Sequence, residues 1–142
     1  MTLNVRITRR FEIDYGHRLL NHDGKCRSFH GHRGVFEVTV TASALDEVGR
    51  VVDFSVLKGI LGGWLDEHWD HAMIVETQDP AVVFLKDDAC ERGTKFVVLP
   101  FPPSAENLAM HFLVVARAAL PETLHVESVR MYETPNCWAD AS

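Results

Sequence analysis

Long apolar runs are missing from this sequence. Each is broken within a few residues, well short of the roughly 20 residues that a membrane-spanning helix needs. Cysteine is scarce as well. Cys26, Cys90 and Cys137 make an odd count without framework spacing, which excludes a disulfide scaffold and points to free thiols in a reducing compartment. The opening residues, Met1 to Arg6, lack the apolar stretch of a secretory signal, so a cytoplasmic location is expected. Positive net charge is absent too: the formal charge is −6, which argues against a nucleic-acid partner. Repeats, linkers and low-complexity segments do not occur. What is present, 142 residues with 46% hydrophobic and 24% charged side chains, suits one soluble α+β domain spanning residues 1–142 around one core.

The chain turns on Cys26-Arg27-Ser28-Phe29-His30-Gly31-His32 and the His17 shortly before it. On a strand, residues i and i+2 share a face, so His30 and His32 can reach one point. His17 closes an earlier alternating run. If the two runs pair as antiparallel neighbours, a third imidazole reaches the same face. Three neutral imidazoles with an open fourth position describe a catalytic zinc site better than a structural one. Cys26 is either a fourth ligand that closes the site or a reactive thiol beside it. Lys25 and Arg27 flank it, a cationic setting that suits a reactive thiol.

Charge gathers around the same segment. Residues 6–33 carry a net +4, from Arg6, Arg9, Arg10, Arg18, Lys25, Arg27 and Arg33 against Glu12, Asp14 and Asp23, leaving −10 for the remainder. An anionic substrate is therefore expected, with Arg18, Lys25, Arg27 and Arg33 as candidate contacts.

Apolar–polar alternation predicts strands at Leu3–Tyr15, with an irregularity at Arg9-Arg10, and at Gly34–Ala42. Val51-Val52 reads as a short strand. Asp53 is expected to cap an amphipathic helix running from Phe54 to about Glu67, and Gly62-Gly63 within it suggests a close packing contact. Pro80–Leu85 predicts a short helix, Lys86–Thr94 a polar loop, and Lys95–Leu99 a strand. Ser104 is placed to cap a helix whose stripe is Leu108, Phe112, Val115 and Ala119, ending before Pro121. Leu124–Glu133 reads as the last strand. The order predicts an antiparallel sheet with two main helices on one face. Trp64, Trp69 and Phe112 are expected in the core.

Six motifs occur in register: His17, Cys26-x3-His30-Gly31-His32, Val52-Asp53-Phe54-x2-Leu57-Lys58, Asp70-His71, Pro103-Ser104-x-Glu106-Asn107-Leu108 and Tyr132-Glu133-Thr134. With them the chain resembles the 6-pyruvoyltetrahydropterin synthase family, most closely its bacterial 6-carboxytetrahydropterin synthase branch. The resemblance covers nearly the whole chain, although the segment from about Gln78 to Pro100 is longer than in compact members. It implies a tunnelling fold (T-fold) whose sheets close into a barrel in trimers, commonly stacked as hexamers, with active sites at subunit interfaces. It implies Zn2+ on His17, His30 and His32, and Cys26 as general base. Asp70 and His71 become a proton relay, a task that suits an imidazole titrating near neutral pH. Glu133 becomes the grip on the pterin, one carboxylate accepting from two ring N–H donors, and Ser104 a further polar contact. Lys25 and Arg27 remain the leading partners for a triphosphate.

The implied reaction is a lyase step on 7,8-dihydroneopterin triphosphate that yields 6-carboxy-5,6,7,8-tetrahydropterin, acetaldehyde and triphosphate, on the route to queuosine. Two alternatives stand beside it. One is triphosphate elimination alone, giving 6-pyruvoyltetrahydropterin; the other is a non-catalytic protein whose zinc is closed by Cys26.

Overall fold

Alternating side chains from Ile7 onward build β1 (Ile7–His17), which buries Phe11, Ile13, Tyr15 and His17 on one face. This computed structural model describes residues 1–142. Strand β2 (His30–Ala42) runs antiparallel to β1 in unbroken register, from Ile7 opposite Val40 to His17 opposite His30. Arg9-Arg10 therefore carries no irregularity. The register shifts elsewhere, at Thr39/Val40, where β2 meets β5 (Leu124–Thr134).

The sheet is mixed rather than purely antiparallel. Two short strands, β3 (Met73–Glu76) and β4 (Phe96–Leu99), pair parallel to each other, and β3 pairs parallel to β1. The cause is a helical crossover between β3 and β4, which returns the chain to the end where β3 began. Strand β6 (Cys137–Ala141) folds back on β5 as an edge, so the order is β4-β3-β1-β2-β5-β6. The reading of Leu124–Glu133 as the last strand missed it. Val51-Val52 forms a bend instead of a strand, with Val51 buried in the core.

One helical rod covers residues 54–68 in three joined pieces: α1 (Phe54–Leu57), a π-helical turn (Lys58–Gly62) and α2 (Gly63–His68). Asp53 caps it, accepting from the Ser55 N–H at 2.8 Å. The rod lies close on β1: a Cβ at Gly62 would stand 3.3 Å from Phe11 Cε1. Gly63 has open space around it, so the close contact expected of the pair belongs to Gly62 alone.

Helix α3 (Ala81–Arg92) is that β3–β4 crossover, and it extends through residues expected to be a loop. Helix α4 (Ala105–Ala119) starts at Ser104, whose Oγ accepts from the Asn107 N–H at 3.2 Å. It buries Leu108, Ala109, Phe112, Leu113 and Ala116, while Val115 is half-buried and Ala119 exposed.

The rod and α4 cover the apolar face of the sheet. There Phe36 meets Phe112 edge-on at 5.1 Å and Trp69 at 5.7 Å, and Leu57, Leu61, Val38, Val129 and Met131 complete the core. Full burial of such side chains stabilises by about 1.5–3 kcal/mol each, and this wall keeps the strand ends beyond it in place. No helix is long and apolar enough to cross a membrane.

Candidate functional site

His17 and His30 face each other across the β1–β2 ladder, and Tyr15 faces His32. All four rings stand on the helix-covered face at one end of the sheet. Donor nitrogens of His17, His30 and His32 lie within 4.8 Å of one another. The His17 ring is fully buried and donates from Nδ1–H to the Pro103 carbonyl at 2.8 Å. His30 donates likewise to the Ser28 carbonyl at 2.7 Å.

Those two carbonyls fix the tautomers. Each ring then turns an unprotonated Nε2 inward, and the two Nε2 atoms stand 3.1 Å apart. Two lone pairs at that distance repel unless a cation lies against them. The His32 Nε2 is buried without any hydrogen-bond partner. Outer carbonyls that orient ligating imidazoles are a regular feature of metal centres. The three histidines can therefore hold a metal ion, and the donor set of three neutral nitrogens fits zinc.

The electrostatics agree with neutral ligands. Burial pushes the His17 imidazole below its ordinary pKa, and repulsion from His30 and His32 adds to that. Burial lowers His32 as well, with His30 again contributing. The Tyr15 ring packs on both, 5.1 Å from His17 and 5.8 Å from His32. Its hydroxyl is buried without a partner, and burial followed by the nearby Glu133 charge pushes its pKa up.

Glu133 is half-buried at the end of β5, with Oε1 3.5 Å from His17 Nε2 and 3.8 Å from His32 Nε2. An open cleft of about 840 Å³ carries His30, His32, His71 and Lys95 on its walls. A second, of about 590 Å³, carries Glu133, Arg10 and Tyr132, and the two share Gly31, His32 and Arg33.

Asp70 and His71 follow α2 directly. The His71 Nδ1–H donates to Asp70 Oδ2 at 2.9 Å. The pair is laced to β1: Asp70 Oδ1 accepts from the Asp14 N–H at 2.9 Å, and the His71 N–H donates to the Asp14 carbonyl at 2.6 Å. Burial would raise the Asp70 carboxyl, but the Asp14 N–H, then His71 and Lys95, hold it below its ordinary value. His71 sits at φ 60°. That left-handed conformation costs a non-glycine residue on the order of 1–3 kcal/mol and persists only where the surroundings enforce it.

The remaining expected site residues divide. Cys26 lies half-buried on a short 3-10 turn (Lys25–Arg27), tied down by the Leu19 N–H to its carbonyl at 2.9 Å. It is not among the converging metal donors and lines neither cleft. Ser104 spends its hydroxyl on the α4 cap and lies outside both clefts. Two of the four expected anion contacts are occupied. Arg18 binds the buried Asp79 with Nε at 2.7 Å and stacks on Phe29 at 4.2 Å. Arg33 pairs with Asp14 at 2.9 Å and Glu12 at 3.2 Å. Lys25 and Arg27 make no ion pair within the protomer. The carbonyl of Pro103 and the side chain of Lys95 were not foreseen; backbone acceptors leave no residue-type signal.

A helix-backed mixed sheet with a three-histidine cluster at one end defines an α+β protein whose histidines could hold a metal ion. Solved structures share the architecture: an uncharacterized protein of Wolinella succinogenes superposes with a TM-score of 0.82 at 26% identity, covering 96% of this chain and 97% of that one. A 6-pyruvoyl tetrahydropterin synthase of Caenorhabditis elegans gives 0.70 at 24%, over 97% and 94%, and establishes the T-fold. The chain belongs to the 6-pyruvoyl tetrahydropterin synthase family, whose model matches residues 6–142. Within it, a 6-carboxy-5,6,7,8-tetrahydropterin synthase of Rickettsia bellii is 36% identical over 138 residues, 96% of this chain and 99% of the relative.

Proposed function

We propose that this protein is a 6-carboxy-5,6,7,8-tetrahydropterin synthase: a zinc-dependent lyase that uses water to convert 7,8-dihydroneopterin triphosphate to 6-carboxytetrahydropterin, acetaldehyde and triphosphate. The observation that carries the reading is the inward convergence of three imidazoles, two of them held by carbonyls. The full-length similarity to relatives of that name supports the substrate class.

Zinc held by His17, His30 and His32 supplies Lewis acidity that makes the C–H bonds of the pterin's substituent easier to deprotonate. Cys26 removes a carbon-bound proton. Asp70 orients His71, which exchanges protons with the reacting substituent. Glu133 accepts from two pterin N–H donors, with Ser104 as a lesser polar contact. Lys25 and Arg27, both unpaired, receive the triphosphate. Because Cys26 lines neither cleft of one protomer, we assign completion of the site to a homo-oligomer, a barrel-closing trimer or its hexamer. The open edges of β4 and β6 support such pairing. The reading places the protein in the cytoplasm, on the route to queuosine.

The test is incubation of the zinc-loaded protein with dihydroneopterin triphosphate, followed by mass spectrometry. Acetaldehyde and the 6-carboxy product are expected. A 6-pyruvoyl product without acetaldehyde assigns the protein to the sister activity, and no turnover with zinc bound leaves a structural metal.

A further inference from the structure

Lys95 immediately precedes β4 in the connection from α3. Its Nζ donates to two backbone carbonyls, Asp66 at 2.7 Å and Asp70 at 2.6 Å. The first of these has lost its regular partner. The Asp70 N–H, which would close the next helical turn on Asp66, reaches back to Leu65 at 2.8 Å instead. The Lys95 carbonyl meanwhile accepts from the Met73 N–H at 3.1 Å. One residue thus brackets the turn from both sides: its side chain holds the end of α2, and its backbone holds the start of β3. A cation at a helix C-terminus also complements the partial negative charge there.

Between those two anchors lies His71, at φ 60° with its ring on Asp70. A conformation that a histidine seldom adopts needs constraint on each flank. Asp14 supplies it from β1, and Lys95 supplies it from the β4 side. Although Lys95 lines the same cleft as His71, its ammonium already serves two carbonyls, so its position suits bracing better than gripping an anion.

We propose that Lys95 is a positioning residue that holds the Asp70–His71 pair in its working geometry, and that bracing this turn is what the α3–β4 segment contributes to the site. The inference rests on the role given to Asp70 and His71 above.

The experiment compares the zinc-loaded parent with Lys95→Met and Lys95→Arg. In Lys95→Met, kcat is expected to fall by roughly 10²-fold, the scale set by small misplacements of reacting groups, with KM and zinc content unchanged. Lys95→Arg, which keeps a cation and several donors, is expected to recover most of the loss. Ring ¹⁵N spectra of His71 without substrate form the independent readout: one Nδ1–H tautomer in the parent, and a mixture in Lys95→Met. A raised, salt-dependent KM with kcat intact overturns the proposal, because Lys95 then contacts the substrate. Unchanged kcat and unchanged ring spectra overturn it equally. Should Lys95→Met fail to fold, full kcat in Lys95→Arg with mixed His71 tautomers also refutes it. If the parent turns over no pterin, the assigned reaction fails while the ring spectra still decide the bracing.

Discussion

Gly34 on β2 leaves the space that the Tyr15 ring fills: a Cβ at position 34 would stand 2.7 Å from Tyr15 Cε1. Tyr15 is buried and lies against the rings of His17 and His32. Gly34→Ala is therefore expected to push the tyrosine into the metal-competent cluster. Overpacking of this kind costs about 1–3 kcal/mol, seen as a lower Tm together with weaker metal retention. Tyr15→Ala combined with Gly34→Ala should cost less than the sum of the two single changes. Strict additivity would sever the link between them.

The depressed His17 and His32 set a pH dependence. A histidine whose folded pKa lies below its unfolded value, about 6.5, favours the neutral form in the native state. Its contribution is present above the unfolded value and is lost as pH falls through the folded one. The metal-free protein should lose Tm below about pH 6.5, and the metal-loaded protein should release its ion at lower pH still, because the ion competes with protons for the same nitrogens. In His17→Gln that slope should flatten, which differential scanning calorimetry against pH can read.

Arg18 and Asp79 form a pair that matters to stability rather than to substrate. Asp79 is buried, and its hydrogen bond from Arg18 holds it below the ordinary carboxylate range. Losing Arg18 leaves the buried Asp79 carboxylate with only the Ala81 N–H as a donor, so Arg18→Met should be destabilising at neutral pH. A lowered carboxyl stabilises above its unfolded pKa, about 3.9, and loses that contribution as pH falls through the folded value. The penalty should accordingly shrink as pH falls below that unfolded value and Asp79 begins to take up a proton. Reversing the charges of Lys25 and Arg27 should instead raise KM, by a factor that shrinks as salt screens the charges, and leave Tm near the parent value.

Cys26→Ala separates the two readings of that thiol. As general base it should leave zinc, fold and pterin affinity in place while kcat drops by about 10²–10⁴-fold. A ligand would instead release zinc and lower Tm, since metal binding contributes directly to folding. Zinc content and single-turnover rate on one preparation decide between them.

The histidine cluster was legible in the sequence because strand alternation is a local rule: His30 and His32 had to share a face, and an antiparallel β1–β2 pair brought His17 opposite His30. The same rule stopped short at α3. Only Leu85 of that helix is buried, while Val83 and Phe84 are exposed, so no apolar stripe runs through Lys86–Thr94. Strand β6 hid behind Thr134-Pro135-Asn136, residues that read as an ending and turned out to be a hairpin turn. Arg18 looked available because its partner lies 61 positions away. Likewise, no residue close to Asp70 in sequence announces Lys95.

The hydrogen bond from His17 to the Pro103 carbonyl carries an evolutionary consequence. Every residue possesses that acceptor, so no substitution at position 103 can delete it. Only a shift of the loop that leads into α4 can remove it. Selection on the orientation of His17 must then act through whatever keeps that loop in place, including the Asn107 amide, which donates to the Pro102 carbonyl at 2.9 Å. Substitution at 103 can preserve the acceptor, whereas an insertion one residue away would cost His17 its aim.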